Sequence, residues 1–296
     1  MKHGRSSVVQ DPLPHFDHIL PSRPLYIPQA NDPMRLVVFA SGGGGNLKAC
    51  LDFSGAFPHL AKVVLVVTDR FGIPAIDIAK EAGIPVISRD FDAECGVWLS
   101  CKDNPTVAEQ YRSKAERLHD EITEEIISLE KKEKKIDFAV FSYHRWVHGK
   151  FLKYFHERII NQHAADVSIF NRDGTRKYIG INPVLAALQD GEKKTRTSTF
   201  LVREGHDTGE SLCQGPWVTF EGELPVSKES AYEHEVKQKR QSDWPSLKFA
   251  LRGLSEGKFA LAENEAHADG CKVVLYNNVP LAYAGYDIND DNEYEK

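Results

Sequence analysis

From Met34 to about Val202, short apolar runs alternate with amphipathic stretches. Arg35–Ala40 is an apolar run ended by glycines, which predicts a parallel strand buried on both faces. Asn46–Asp52 then reads as a helix start, Lys62–Thr68 as a second buried strand, and Ile73–Ala82 as a helix closed by Gly83. Ile84–Ser88 predicts a third strand, at an edge because Pro85 lacks a ladder donor. Residues 92–105 carry no period. Thr106–Lys135 predicts a long helix, since Ala115, Leu118, Ile122, Ile126 and Leu129 recur at spacings of three and four. Further strands are expected at Ile136–Phe141, Ile159–Asn161 and Thr197–Val202, with helices at Phe151–His156 and Pro183–Asp190. Residues 164–177 are polar and loop-like.

Strands alternating with helices predict an α/β fold, a doubly wound, mainly parallel sheet with right-handed crossovers. After Gly215 the pattern changes to a small strand and helix extension. A strand is expected at Trp217–Phe220, and a mostly helical stretch over Ser227–Gly253 with a break near Pro245. Strands at Phe259–Glu263 and Lys272–Leu275, turn residues Asn277 and Asn278, and a last strand within Pro280–Tyr286 complete it. Prolines at 12, 14, 21, 24, 28 and 33 make residues 1–33 an extended Pro-rich arm or a loose tail. The main domain is expected over 34–286, and an acidic disordered tail over 287–296.

Composition narrows the function classes. At 296 residues, 41% hydrophobic and 27% charged, the chain can bury a full core. A formal net charge of -6 disfavours nucleic acid as a general partner. No apolar run approaches the roughly 20 residues that span a bilayer, and the N-terminal residues lack the apolar segment of a signal peptide. Five cysteines without a CxxC pair argue for reduced thiols, a cytoplasmic location and no metal site.

The candidate chemistry lies at predicted strand ends, where sites in such sheets are found. Ser41-Gly42-Gly43-Gly44-Gly45-Asn46-Leu47 follows a strand and opens a helix, so its backbone N–H groups can face an anion such as phosphate. It fits neither a Walker loop nor GxGxxG. A tight turn without a ligand is the alternative. Asp69 ends the second strand where a ribose-binding acid could sit. Asn161 and His163 lie two apart and share a strand face. Taken alone, a buried histidine bonded to a carbonyl is the plainer reading of His163, and a turn residue that of Asp207. Together the amide, imidazole and carboxylate are the parts for stabilising an oxyanion and moving a proton, which points to acyl transfer.

Three motifs in order carry a family resemblance: Ser41–Leu47, Asn161-Gln162-His163 and Asp207-Thr208-Gly209. On these, from about Met34 to Tyr286, the chain resembles the folate-dependent formyltransferases, the glycinamide ribonucleotide transformylase branch of purine biosynthesis in particular. The resemblance implies 10-formyltetrahydrofolate as formyl donor, a small amine as acceptor, and no metal. It implies Asn161, His163 and Asp207 as the catalytic trio. Gly44, Gly45 and Asn46 match the loop that holds the substrate's phosphate and amine end. Arg145 and Val147 match a segment lining the folate pocket, and Val202 and His206 bound the loop that closes over the pterin. In the implied chemistry Asn161 and a protonated His163 hold the oxyanion, and Asp207 orients the imidazole.

The chain also departs from that pattern. His163 is followed by Ala164–Phe170 and a polar insertion, Asn171–Lys177. The family's Tyr-Pro-Gly becomes Tyr178-Ile179-Gly180, a histidine-bearing segment becomes Ile181-Asn182-Pro183, and Arg240 stands near where an amine-binding Glu aligns. The acceptor does not follow from the resemblance, although the glycine loop favours a phosphorylated one. A formyltetrahydrofolate hydrolase and a non-catalytic binding protein on the same fold stay open. The expected partners are a small-molecule amine and folate, with no nucleic acid and no membrane. The Pro-rich arm, with Trp98, Trp217 and Trp244, is compatible with a homodimer.

Overall fold

The computed structural model describes residues 20–205 and 207–288. It divides into two compact units, one of Gln29–Ile160 and one of the segments before and after it. Residues 1–19 of the arm, 289–296 of the tail, and His206 lie outside the described residues.

The unit Gln29–Ile160 is built on parallel strands in the order Phe138–Ser142, Met34–Ala40, Ala61–Thr68, Val86–Ser88. Met34–Ala40 is buried at every position, as its unbroken apolar run requires. Val86–Ser88 is the edge strand. Pro85 just before it still contributes its carbonyl, which accepts from the Val66 N–H at 3.0 Å. The chain first moves outward from Met34–Ala40 and then returns to its other side, so the order reverses between Met34–Ala40 and Phe138–Ser142. Such a switch point is where α/β sheets bind ligands.

The long helix Pro105–Lys132 starts on Asn104, whose side chain accepts from the Thr106 and Val107 N–H groups, with Pro105 in the first turn. It buries the expected stripe at Ala115, Leu118, Ile122 and Ile126, and also Tyr111, His119 and Thr123. The stretch expected to be irregular contains two short helices, Phe91–Cys95 and Trp98–Cys101. Asp90 caps the first, and Trp98 packs on Tyr111 with ring centroids 5.2 Å apart. These turns are too short to show a helical period.

His119 sits among Phe91, Tyr143 and Phe151. Burial pushes it down to about 3, and the Ala115 carbonyl one turn back offsets only part of that cost. Its neutral ring therefore stabilises the fold above its ordinary value of 6.5, and that stability is lost as pH falls toward 3. Between pH 7 and pH 5 the expected loss is about 2 kcal/mol. Urea midpoints at the two pH values should show it in the wild type, and His119→Phe should remove it. An unchanged pH slope in that variant would rule out His119 as the cause.

The other unit holds strands in the order Ile159–His163, Ser198–Leu201, Ser211–Gln214, Tyr286–Asp287, the unit boundary falling within the first. Ser198–Leu201 and Ser211–Gln214 are antiparallel, and Tyr286–Asp287 is parallel to the latter. Strand pairing therefore includes Asp287. A second sheet runs Ser22–Pro24, Phe259–Ala266, Lys272–Tyr276, Val279–Pro280, with the proline-bearing Ser22–Pro24 at its edge. Asn277 and Asn278 take φ of 50° and 65°, as a tight two-residue hairpin between Tyr276 and Val279 demands. Lys194–Thr195 and Val218–Thr219 form a small ladder.

The expected helix break near Pro245 is absent. Helix Lys228–Gln238 passes through a π-turn, Lys239–Asp243, into helix Trp244–Ser255, and Pro245 lies in the first turn of the latter. The wider turn absorbs the missing donor without stopping the rod. Among the described residues no helix is long and apolar enough to cross a membrane.

Candidate active site

Strand Ile159–His163 has two faces with different work. Gln162 points to one side, where its amide nitrogen donates to Ser246 Oγ at 2.9 Å, to Thr199 Oγ1 at 3.3 Å and to the Asp243 carbonyl. The partner carbonyl belongs to the π-turn. Asp243 itself is buried, which pushes its carboxyl up to about 6 although Thr197 donates to it. Alternation then places Asn161 and His163 on the opposite side. Asn161 is half-buried and His163 buried.

Asp207 lies in the connection between the antiparallel strands Ser198–Leu201 and Ser211–Gln214. The second of these strands carries no apolar run that the sequence reading could detect. The loop is closed by the Leu201 N–H to the Glu210 carbonyl at 2.8 Å, the Arg203 N–H to the Thr208 carbonyl at 3.0 Å, and an Arg203–Glu210 ion pair at 2.7 Å. At its tip Asp207 adopts a left-handed φ of 47°. Its carboxylate Oδ1 stands 3.5 Å from His163 Nδ1, and its Oδ2 accepts from the Gly180 N–H at 2.8 Å. The other imidazole nitrogen, Nε2, is 2.5 Å from the Tyr178 carbonyl. A carbonyl only accepts, so Nε2 carries a proton in that contact. The Nδ1–Asp207 contact is an ion-pair distance, longer than a good hydrogen bond. One donor position and one acceptor position therefore stand side by side, neither fully satisfied by the other.

Tyr178 and Gly180 come from the segment where the sequence departs from its family pattern, yet they supply only backbone groups to the pair. No residue type announces such groups in advance. Arg176, also from that segment, reaches the carbonyls of Asp207 and Gly209. Val202, at the start of the loop, is half-buried.

In the unit Gln29–Ile160, the glycine loop lies at the sheet's switch point. The Ser41 N–H donates to the Ser142 carbonyl at 3.0 Å, and Ser41 Oγ accepts from the His144 N–H at 2.9 Å, tying two strand ends together. Gly44 caps helix Gly45–Ala56 at φ 73°, and a Cβ there would lie 2.7 Å from Ile78 Cδ1. That glycine is required by packing. Gly42 and Gly43 face open space. The first turn of the helix carries no acidic side chain, so its N–H groups keep their attraction for an anion.

Asp69 is fully buried, so it does not present a free acid to a ribose. Burial would raise it, but hydrogen bonds and charge from Arg70 and Arg145 outweigh that and hold its carboxyl below the usual range. Arg145 is itself only 6% exposed and pairs with Asp69 at 2.6 Å and Asp92 at 2.8 Å. Its guanidinium is thus engaged inside the protein. Its Nη2 is buried with no hydrogen-bond partner among the described residues. Val147 is buried. No group of His, Cys, Asp and Glu among the described residues is arranged to hold a metal ion.

The family model described as "Formyl transferase" matches residues 34–236. The chain belongs to the formyl transferase family. Among relatives of this formyl transferase, the phosphoribosylglycinamide formyltransferase of Mycobacterium tuberculosis is 30% identical over 202 residues, covering 68% of this chain and 78% of the relative. The corresponding protein of Haemophilus influenzae is 24% identical over 239 residues, 80% of this chain and 94% of that one. The solved phosphoribosylglycinamide formyltransferase of Coxiella burnetii superposes with a TM-score of 0.58, covering 86% of this chain and 99% of its own, at 19% identity. At that identity the likeness is one of fold. The matched region begins at the first strand of the parallel sheet and ends inside helix Lys228–Gln238, so the π-turn and the second sheet lie largely outside it.

Proposed function

We propose that this formyl transferase moves the formyl group of 10-formyltetrahydrofolate to the amine of a small, phosphorylated acceptor, as the names of its relatives suggest. The observation that carries the reading is the His163–Asp207 pair, a donor and an acceptor held 3.5 Å apart. Formyl transfer needs both. As the acceptor nitrogen bonds to the formyl carbon, negative charge grows on the formyl oxygen and a proton must leave the nitrogen. The bond from that carbon to the donor's nitrogen then breaks, and that nitrogen takes up a proton.

In this reading His163 Nδ1–H and the Asn161 side-chain N–H donate to the oxygen. Each such donor contributes about 100- to 1000-fold in rate. Tyr178, through its carbonyl, fixes the imidazole by its other nitrogen, so the ring does not turn away. Asp207 Oδ1 takes the proton from the attacking amine and returns one to the leaving nitrogen, directly or through water. The Gly180 N–H keeps the carboxylate's second oxygen fixed meanwhile.

Gly44, Gly45 and Asn46 are proposed to receive the acceptor's phosphate at the helix start, supported by the open space before Gly42 and Gly43 and the lack of first-turn acids. Arg145, Val147, Val202 and His206 are proposed to line the folate pocket. The buried, unpartnered Arg145 Nη2 supports a polar ligand atom near that residue, because an unsatisfied buried donor costs about 1–3 kcal/mol. His206 and Val202 rest on the resemblance alone.

The test is a formyl-transfer assay over a panel of phosphorylated and unphosphorylated amines, glycinamide ribonucleotide among them. Transfer to a phosphorylated amine, with formate release negligible in its absence, is the expected result. Rapid formate release without any acceptor would mark a hydrolase. Folate binding without turnover on any amine would mark a binding protein. Either outcome overturns the proposal.

A further inference from the structure

Segment 170–180 does more than fill the insertion. Asn171–Thr175 makes a tight turn, with the Asn171 N–H donating to the Thr175 carbonyl at 2.8 Å and Thr175 N–H to Asp173 Oδ1 at 3.0 Å. Gly174 sits at φ 81° within it, and Phe170 pairs with Arg176 across it. Alternation beyond the turn buries Arg176 and Tyr178 and leaves Lys177 between them half-buried.

Arg176 is 8% exposed, and its three hydrogen-bonding nitrogens meet neutral acceptors. Nη1 donates to the Asp207 carbonyl, Nη2 to the Gly209 carbonyl at 2.6 Å, and Nε to the Tyr283 hydroxyl at 2.9 Å. Tyr283 passes its own proton to Asp269 Oδ2 at 2.5 Å. The guanidinium carbon lies 5.3 Å from the Tyr283 ring centroid and 5.7 Å from that of Phe200. The two carbonyls bracket the tip of the loop, where Asp207 holds a left-handed φ of 47° and Gly209 one of 127°. A non-glycine residue keeps such a conformation only where its surroundings over-determine it. A flat fork with two parallel N–H groups suits two neighbouring carbonyls, and a lysine cannot reproduce it.

We propose that Arg176 is a positioning residue for Asp207, clamping the loop tip so that the carboxylate meets His163 Nδ1. The inference rests on the reading of the His163–Asp207 pair given above. Arg176 touches neither reacting group; it acts through the loop backbone. Because Tyr178 holds the imidazole and Gly180 holds the carboxylate, residues 176–180 set both halves of the pair from one stretch of chain.

The experiment compares Arg176→Met, Arg176→Lys and His163→Ala in the full chain. Arg176→Met should lower kcat about 10- to 100-fold, the scale of a misplaced catalytic group, with KM for the folate changed less than threefold. Amide hydrogen exchange in residues 203–209 should quicken, and the 15N shifts of the His163 imidazole should move away from the wild-type values. Arg176→Lys keeps the charge without the fork and should still lose about 10-fold. If Arg176→Met does not fold, Arg176→Lys decides. A folded variant with wild-type kcat, exchange and imidazole shifts overturns the inference while His163→Ala is inactive. Activity in His163→Ala would instead remove the reading beneath it.

Discussion

Replacing His163 with alanine is expected to lower kcat for formyl transfer by about 100- to 1000-fold while leaving folate binding within a few-fold of wild type. The ring's Nε2 is held by the Tyr178 carbonyl and its Nδ1 by Asp207, so alanine removes the donor and unseats the acceptor together. Asp207→Asn should fall by a similar factor, because the amide keeps the shape of the carboxylate and cannot take the amine proton. The double variant should be scarcely worse than either single one, since groups acting as a unit lose their effect together. Single-turnover formyl transfer measures the chemical step, and a thermal shift with 5-formyltetrahydrofolate measures binding. Turnover surviving in both single variants would show that another pair of groups carries the reaction.

Gly209→Ala should be the most damaging small substitution in the loop. A Cβ built there lies 1.8 Å from the Leu201 carbonyl oxygen, a backbone atom of the neighbouring strand, and the glycine holds φ 127°. Neither partner can give way without parting strands Ser198–Leu201 and Ser211–Gln214. The expected cost is about 2–4 kcal/mol, read as a drop in urea midpoint, with kcat falling because the carbonyl that Arg176 grips has moved. Gly174→Ala is the control. It too has a left-handed φ, of 81°, but nothing lies within 4 Å of its Cβ, so it should cost only about 1 kcal/mol. Equal midpoints for the two variants would mean that the Leu201 carbonyl does not pack against Gly209.

What the sequence made legible follows from how each part signals itself. The parallel strands of Gln29–Ile160 read clearly because burial on both faces leaves continuous apolar runs such as Met34–Ala40. The helix Pro105–Lys132 read clearly because its stripe spans many turns. Ser211–Gln214 did not, because a four-residue strand with serine and glutamine at its ends has neither run nor alternation, although every position is buried. The π-turn was hidden by Pro245, whose residue type argues for a break where the wider turn accommodates it. In the candidate site, Asn161, His163 and Asp207 stood out by residue type. The carbonyl of Tyr178 and the N–H of Gly180 could not, since every residue carries such groups. Arg176 was one polar residue in a polar insertion, and only the turn before it directs it inward.

The π-turn has a consequence for how this chain tolerates change in length. It delivers the Asp243 carbonyl and Ser246 to Gln162, the residue flanked by Asn161 and His163. Deleting one residue from 239–243 would let the segment relax to an ordinary helical spiral and rotate everything after it by roughly 100°. The anchor of Gln162 would swing out of reach, although each side chain that grips it would still be present. Register here is therefore as binding a constraint as residue identity, and a single-codon deletion far from the imidazole would unfasten the strand that carries it.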